Sequence, residues 1–438
     1  MIYSQKIVYF KLFYNIIVHE LRTKMDINKR QISVKIEKPI FGGDFLARLS
    51  DNKPVFIPFV LPGESAIINI VQEKKNYARA ALLSIQESHP NRVDPPCKYF
   101  SICGGCQYQH IDYSEQLNIK KQVLIEQLSR LTGFQEELIK NFYRSDSPLK
   151  YRNNIQLSVD PSGKFGFQAF GSHQIIPVSY CLLADEEILQ IWQMLDMERI
   201  PGLKKVQIRK GIDNEIMVIF ESDNFVELPT VELDVPISVI HLSRAGKIVM
   251  AGEDHLIHQI KDHYFHVSAE SFFQVNDSQT VNMIETVQRY LRNGGGSLLE
   301  LYCGVGLFTR FLADSFSEIH AVEESPSACD DFAINLDEYD HINLYIGSVK
   351  EIVPQLDVKP DAILVDPPRA GLDPGTLETL LSMDAKKLVY VSCDISTLAR
   401  DLRKLIEGGY QLIEMTAIDM FPQTYHLECV VLMSMVDK

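Results

Sequence analysis

The sequence predicts a multidomain protein of the α/β and β classes: a small β-barrel, a central α+β region and a carboxy-terminal, Rossmann-like parallel sheet wrapped by helices. Three observations predict it. The chain has 438 residues, against roughly 150 for a typical domain. Short strands punctuated by Gly and Pro fill residues 32–85. In the last third, apolar runs of strand length alternate with helical periods. Hydrophobic residues at 46% and charged residues at 23% are the ordinary globular mixture, which excludes a disordered, collagen-like or disulfide-scaffold chain.

Residues 1–30 show no clear period, cap or motif, and Met25 stands just before the first patterned segment, so this stretch reads as an extension or a non-native start. Its most apolar part, Ile7 to Val18, is 12 residues long and carries Lys11 and Asn15. A bilayer needs about 20, and no small-residue cleavage site follows. The mean hydropathy of -0.04 excludes a multi-span membrane protein. Eight cysteines are too sparse for a secreted disulfide framework. The sequence therefore places the protein in the cytoplasm, with no membrane partner and no obligate protein partner inferred.

Residues 31–88 carry Ser33–Ile36, Pro54–Val60, Ala66–Val71 and Ala78–Ile85 as strands, with Gly42-Gly43 and Leu61-Pro62-Gly63 between them. Short strands at this spacing read as a small barrel. His89-Pro90 and Pro95-Pro96 mark a linker into a central domain, residues 89–270. That domain opens with a cysteine-rich stretch, passes through a helical pattern at 111–142 and continues as mixed α and β. The formal charge of -15 is uneven. Residues 1–152 hold 22 Lys and Arg against 15 Asp and Glu, a surplus of +7, and residues 153–438 carry -22. The amino-terminal third is thus the candidate for contact with nucleic-acid phosphates; on charge alone, chance clustering on solvated faces explains the asymmetry equally well.

Residues 271–438 supply the alternating pattern. In such a sheet the ligand sits outside the carboxyl ends of the strands, and the first strand-to-helix turn is glycine-rich so that backbone can approach it. Glu300-Leu301-Tyr302-Cys303-Gly304-Val305-Gly306 provides that turn after the strand Ser297–Tyr302, and Glu323 ends the next strand, 19 residues beyond Gly304, where a carboxylate can accept from both ribose hydroxyls. Gly-x-Gly alone also fits a dinucleotide or a structural turn. Asp366-Pro367-Pro368-Arg369, at the end of a third strand, completes a set that resembles the fingerprint of class I methyltransferases that bind S-adenosyl-L-methionine.

Amino-group methyltransferases of that class follow Asp/Asn-Pro-Pro with an aromatic residue; here Arg369 stands there. Instead, Cys393 ends the next strand with a helix starting at Asp394 or just after, a position that favours thiolate. Carbon 5 of uracil is too weak a nucleophile to take a methyl group unaided. Addition of a thiolate at carbon 6 makes an enolate that can, and a base must then remove the carbon 5 proton. Glu428 is the candidate base, with His426 placed to orient it. Singly, Cys393 also reads as a buried cysteine and Glu428 as a surface acid.

With these residues the chain resembles the RNA 5-methyluridine (uracil-5-) methyltransferase family, and within it the iron-sulfur-containing 23S ribosomal RNA branch. The shared motifs are Phe272-Phe273-Gln274-Val275-Asn276, Asp366-Pro367-Pro368-Arg369-Ala370-Gly371-Leu372, the Ser392-Cys393 pair followed by Thr397-Leu398-Ala399-Arg400-Asp401, and His426-Leu427-Glu428. The resemblance implies a class I methyltransferase domain that binds S-adenosyl-L-methionine through Gln274, Tyr302, Glu323 and Asp366 with the Gly304 and Gly306 turn, Cys393 as nucleophile, Glu428 as base, and a flipped uridine of 23S rRNA as substrate. A transfer RNA substrate and a non-catalytic RNA-binding role are the alternatives. Ile395 stands where the family has Pro, and Gln423 where it has His.

Cys97, Cys103 and Cys106 share one glycine-bearing loop and Cys181 follows 75 residues later. Four thiolates hold zinc or an iron-sulfur cluster, and spacing does not separate the two. The resemblance implies a 4Fe-4S cluster in the central α+β domain with Cys181 as the fourth ligand. Residues 31–88 resemble the TRAM domain, an OB-like RNA-binding barrel. Phe41, Phe45, Lys74, Lys75 and Arg79 are its candidate RNA contacts, with core packing the competing role for each Phe.

Overall fold

The computed structural model describes residues 31–195, 200–224, 236–292 and 294–436; the suspected non-native start, 1–30, lies outside the described residues. Two compact units are present: Met1–Asp94 with His110–Asp112, and Pro95–Gln109 with Tyr113–Lys438.

In the first unit the strands Gln31–Pro39, Asp44–Arg48, Pro54–Pro58, Ser65–Glu73 and Ala78–Glu87 close into a barrel, the last two exchanging order around it. Period-two alternation puts Val34 and Ile36 inside and Lys35 and Glu37 outside. Gly42 and Gly43, with φ of 99° and 89°, make the turn that leads into Asp44–Arg48, a strand that the local sequence pattern does not mark. A side chain at Gly42 would meet nothing, so backbone conformation, not space, demands glycine there.

The second unit contains two large sheets. Seven strands run in the order Gly246–Ala251, Ile237–Ser243, Ile216–Ser222, Leu203–Lys210, Asn154–Val159, Phe165–Gln168, Ile175–Pro177. The helix Glu186–Met194 buries Ile188, Ile191 and Trp192 in the same core as Ile155, Val206 and Val218. The eight-stranded sheet has the order Ile342–Ile346, Glu318–Glu323, Ser297–Leu301, Ala362–Val365, Lys387–Ser392, Glu428–Met435, Tyr410–Ile418, Ile139–Tyr143. Its first five strands are parallel. Ala362–Val365 is buried throughout, as a parallel strand covered on both faces must be. The chain moves outward from Ser297–Leu301 to Ile342–Ile346 and then returns to the other side, so strand order reverses beside Ser297–Leu301, the place where such sheets bind ligands.

The helical reading of 111–142 holds for Tyr113–Leu128 only. Gly133, at φ 77°, breaks the pattern, and Ile139–Tyr143 becomes a strand parallel to Tyr410–Ile418.

Candidate active site

Strand register assembles the predicted cofactor residues. Leu301 pairs with Val322 on one side and Val365 on the other, so Tyr302, Glu323 and Asp366 lie side by side at the carboxyl ends of three adjacent strands. Tyr302 N–H donates to the Val322 carbonyl at 2.9 Å and Asp366 N–H to that of Leu301 at 3.3 Å. Positive φ at Tyr302, Gly304 and Gly306 (62°, 56° and 88°) turns the chain into the helix Leu307–Leu312. A Cβ at Gly306 would come within 2.7 Å of Leu336, whereas at Gly304 it would meet no atom within 4 Å. The first of these positions packs the turn against the helix Pro326–Asn335; the second leaves open space beside backbone.

Glu323 closes the turn. Its Oε2 accepts from Gly304 N–H at 2.9 Å and its Oε1 from Glu324 and Ser325 N–H at 2.9 and 2.8 Å. A carboxylate so fixed still has lone pairs for hydroxyl donors. At Asp366, burial pushes the carboxyl up to about 7. Glu300, part of the Gly-rich motif but without an expected role, is fully buried. Its Oε2 accepts from Thr309 Oγ1 at 2.7 Å while Oε1 has no partner among the described residues. Burial, and then Thr309 and Asp366 in opposite senses, leave its carboxyl at about 8. An orphaned buried oxygen and two carboxyls, Glu300 and Asp366, on which no basic side chain among the described residues acts, suit a positively charged ligand such as a sulfonium carrying an ammonium group. Gln274 is half-buried before the helix Asp277–Tyr290. Its carbonyl accepts from Asn153 Nδ2 at 3.0 Å, and no hydrogen bond joins its side chain to Tyr302, Glu323 or Asp366.

Cys393 follows the strand Lys387–Ser392, and Asp394 caps the helix Ile395–Glu407 by accepting from Ser396 and Thr397 N–H at 2.9 and 3.0 Å. The helix start is as expected; its effect on the thiol is not. Burial pushes Cys393 up to about 12, with Glu428, Asp366 and Asp394 adding and Arg369 opposing. A helix terminus contributes only a partial charge, whereas desolvation and nearby carboxyls both act on the thiol in the opposite sense. Glu428, 5% exposed, is held well above the usual carboxylate range by burial and Asp366, again against Arg369.

Arg369 is therefore a cation that acts on both Cys393 and Glu428. Its guanidinium is exposed and forms no hydrogen bond or ion pair with the described residues, yet its field reaches Cys393, Glu428 and His426. An Arg in place of the expected aromatic residue is the signal in the sequence. His426 does not orient Glu428: no hydrogen bond joins them, and the ring packs against Tyr425 at 4.2 Å. Burial, then Arg369, lower its imidazole to about 3.

The four predicted metal thiols, all unpaired, line one cavity of about 310 Å³ together with Arg152, Arg369, Phe421, Thr424 and His426. The cysteine loop is docked on the sheet by the Cys103–Ala169 bridge and by Gly104 N–H donating to the Gln168 carbonyl at 2.9 Å. Cys181 arrives on a segment held by Lys150 and Arg152 N–H to the Leu182 and Leu183 carbonyls. Burial raises all four thiols, and neighbouring thiols add to the rise at Cys103, Cys106 and Cys181. Among the described residues no three His, Cys, Asp or Glu side chains converge closely enough to hold a single metal ion. Arg152 Nε, buried, has no partner among the described residues.

In the barrel, Phe45 is fully buried and belongs to the core, which removes it as a base-stacking candidate. Phe41 is half-buried, Lys74 and Lys75 are exposed in the turn before Ala78–Glu87, and Arg79 pairs with Asp44 at 2.9 Å. No helix among the described residues is long and apolar enough to cross a membrane.

A Gly-rich turn, an acidic strand end and Asp-Pro-Pro at the switch point of a parallel sheet, in a chain with an RNA-binding type of barrel, define an RNA methyltransferase. Residues 222–436 match the family described as tRNA (Uracil-5-)-methyltransferase, and residues 29–83 the TRAM domain. The chain is 32% identical over 424 residues to an uncharacterized RNA methyltransferase of Clostridium tetani, covering 88% of this chain and 92% of that protein. It is 33% identical over 426 residues to one of Bacillus cereus, with the same coverage of each. The crystal structure of the Pyrococcus abyssi tRNA (uracil-54, C5)-methyltransferase in complex with S-adenosyl-L-homocysteine superposes with a TM-score of 0.73 at 25% identity, covering 91% of this chain and 99% of that one. The protein belongs to the RNA uracil-5-methyltransferase family.

Proposed function

We propose that this protein methylates carbon 5 of a uridine in RNA, with S-adenosyl-L-methionine as donor, Cys393 as nucleophile and Glu428 as base. The observation that carries the reading is the juxtaposition of Cys393 and Glu428 at the ends of paired strands, beside Asp366 and Arg369. The Cys393 thiolate bonds to carbon 6, and the displaced π electrons move to the carbon 4 oxygen as an enolate, whose charge Arg369 stabilises. Gln274, Tyr302, Glu323 and Asp366 would hold the donor against the Gly304 and Gly306 turn, where its sulfonium would supply an electrophilic methyl group to the carbon 5 electron pair of the enolate and leave as S-adenosyl-L-homocysteine. Glu428 takes the carbon 5 proton; that electron pair restores the ring double bond as the sulfur–carbon 6 bond breaks and Cys393 leaves as thiolate. Arg369 and a cation beside Asp366 both favour the thiolate and the carboxylate that these steps need. The uridine leaves its stack to reach the site.

Cys97, Cys103, Cys106 and Cys181 fit one 4Fe-4S cluster, which would tie the cysteine loop to the segment carrying Cys181. Thiols spread around a cavity suit a multi-iron cluster better than one zinc, whose sulfurs all lie about 2.3 Å from a single centre. The raised thiols and the orphaned Arg152 nitrogen are the features a charged thiolate–iron assembly would satisfy. We place the target in 23S rRNA because of this site. Transfer RNA is the second reading, favoured by the Pyrococcus abyssi enzyme. Mass spectrometry of RNA from cells with and without the gene tests both: 5-methyluridine lost from 23S rRNA supports the first, loss from tRNA alone replaces it with the second, and no loss from either overturns the activity.

A further inference from the structure

We propose that Thr397, Arg400 and Asp401 are positioning residues for Arg369: one face of the helix Ile395–Glu407 clamps residues 367–372 and so fixes the backbone from which Arg369 acts on the Cys393 site. The inference rests on the reading of Arg369 as the group that stabilises the enolate.

These three residues belong to a sequence motif that the chemistry leaves without a role. Spacings of three and four put them on one side of their helix. That side meets the connection between the strand Ala362–Val365 and the helix Pro374–Ser382. Thr397 Oγ1 donates to the Arg369 carbonyl at 3.1 Å. Arg400 Nη2 donates to the Ala370 and Leu372 carbonyls at 2.9 and 3.1 Å, and Asp401 Oδ2 accepts from Leu372 N–H at 2.8 Å. Among the described residues, every hydrogen bond that joins residues 367–372 to another part of the chain comes from this clamp. Gly371 lets the loop lie so close. Its φ is 73°, and a Cβ there would strike Asp401 Oδ2 and Arg400 Nη2.

Asp401 is fully buried, and a buried carboxylate with its cation is a poor source of stability, because desolvation consumes most of what the pairing returns. Its other bonds show a geometric use. Oδ1 accepts from Arg400 Nε at 2.7 Å, and Oδ2 also accepts from the Tyr390 hydroxyl at 2.8 Å. Tyr390 lies in the strand Lys387–Ser392, which leads into Cys393, and the clamp helix begins just after Cys393. One carboxylate thus fastens the Arg369 loop to both elements that flank the nucleophile. The Arg369 guanidinium has no bond of its own among the described residues, so its reach is set by where that backbone is anchored.

The test has two arms, both on the whole chain. In the first, alkylation of Cys393 by iodoacetamide is followed against pH without RNA, since only the thiolate reacts. Burial, Glu428, Asp366 and Asp394 push this thiol up and Arg369 opposes them. Arg400→Gln and Gly371→Ala should therefore move the profile to higher pH, as Arg369→Gln does. Gly371→Ala changes no charge, so a shift there reports displacement of the loop. Adding Arg369→Gln to either variant should move the profile no further than Arg369→Gln alone, because the clamp acts through Arg369. An unmoved profile, or shifts that add, overturns the proposal. In the second arm, the clamp variants should bind donor as the wild type does but form the covalent complex with 5-fluorouridine RNA roughly 10- to 100-fold more slowly, the scale for a misplaced group. Formation at the wild-type rate, or losses that multiply when Arg369→Gln is added, overturns it. If Arg400→Gln misfolds, Gly371→Ala decides both arms. Wild-type protein that forms no complex would overturn the reading of Cys393 and Arg369 in catalysis instead, and the first arm still decides the clamp.

Discussion

Cys393 and Glu428 stand one rung beyond the Ser392–Cys429 pair, the last register contact between Lys387–Ser392 and Glu428–Met435. Antiparallel pairing of these two strands brings a sulfur and a carboxyl from distant parts of the chain to one end of the sheet. The same end of the sheet carries Asp366; burial keeps all three groups reluctant to ionise, and neighbouring carboxyls add to the effect at Cys393 and Glu428.

Cys393→Ala removes the proposed nucleophile and leaves the donor site whole. Incubated with donor and RNA containing 5-fluorouridine, the wild-type protein should be trapped as a covalent complex, because fluorine cannot leave as a proton does. The variant should form none, and its donor affinity should be unchanged. An adduct persisting in Cys393→Ala would assign the chemistry to another group.

Glu428→Gln acts later. Addition and methyl transfer precede the step that Glu428 serves, so a denaturant-stable protein–RNA adduct should accumulate on ordinary RNA, with turnover down by about 100-fold or more, the range for losing a general base. Normal turnover removes Glu428 from the mechanism.

Much of this site is legible in local sequence. The parallel strands are short apolar runs, and Gly304, Glu323, Asp366 and Cys393 each sit where such a run ends. What local sequence does not reveal is set at long range. Ile139–Tyr143 becomes a strand only because Tyr410–Ile418 offers an edge far along the chain. The Cys393 thiol is raised first by burial and then by Glu428 and Asp366, which the helix start visible beside it does not announce. Gln423, a departure from the family pattern, takes its contacts from Gln107, Tyr108, Gln116 and Pro148, all far away in the sequence.

Buried carboxyls make a pH signature. Asp366 is raised from 3.8 to about 7 and Glu300 from 4.5 to about 8. Between the lower and upper values the folded chain holds protons that the unfolded chain has released, so the donor-free protein should lose stability as pH rises from about 4 to about 8. A cationic donor prefers the ionised form, so its affinity should climb over the upper part of that range. Denaturation midpoints and calorimetric titrations across the range check both signs, and Asp366→Asn should flatten the affinity profile. Affinity that falls with rising pH would exclude Asp366 as a cation site.

Protein purified anaerobically should be brown and contain about four iron atoms, the count for this cluster type. Replacing Cys106 by Ser should lower the iron content and the midpoint of thermal unfolding together. Stoichiometric zinc without iron or sulfide, under the same conditions, would defeat the cluster assignment.

The last prediction concerns how an acidic protein holds RNA. Residues 1–152 carry +7 and the remainder -22, and in the barrel Lys74 and Lys75 are exposed beside one turn with no carboxylate paired to either among the described residues. If they meet phosphates, Lys74→Glu with Lys75→Glu should weaken RNA binding at every sequence alike and flatten its salt dependence, by about 0.7 to 0.9 in the log–log slope for each phosphate no longer neutralised. Removing residues 1–88 should do the same more strongly. Donor affinity should hardly move in either variant, since Gln274, Tyr302, Glu323 and Asp366 all belong to the other compact unit. Binding of the flipped base should survive, because it belongs with Cys393 and Arg369. RNA affinity unchanged at every salt concentration would show that the charge surplus of the amino-terminal third lies on solvated faces, and that binding resides in the second unit.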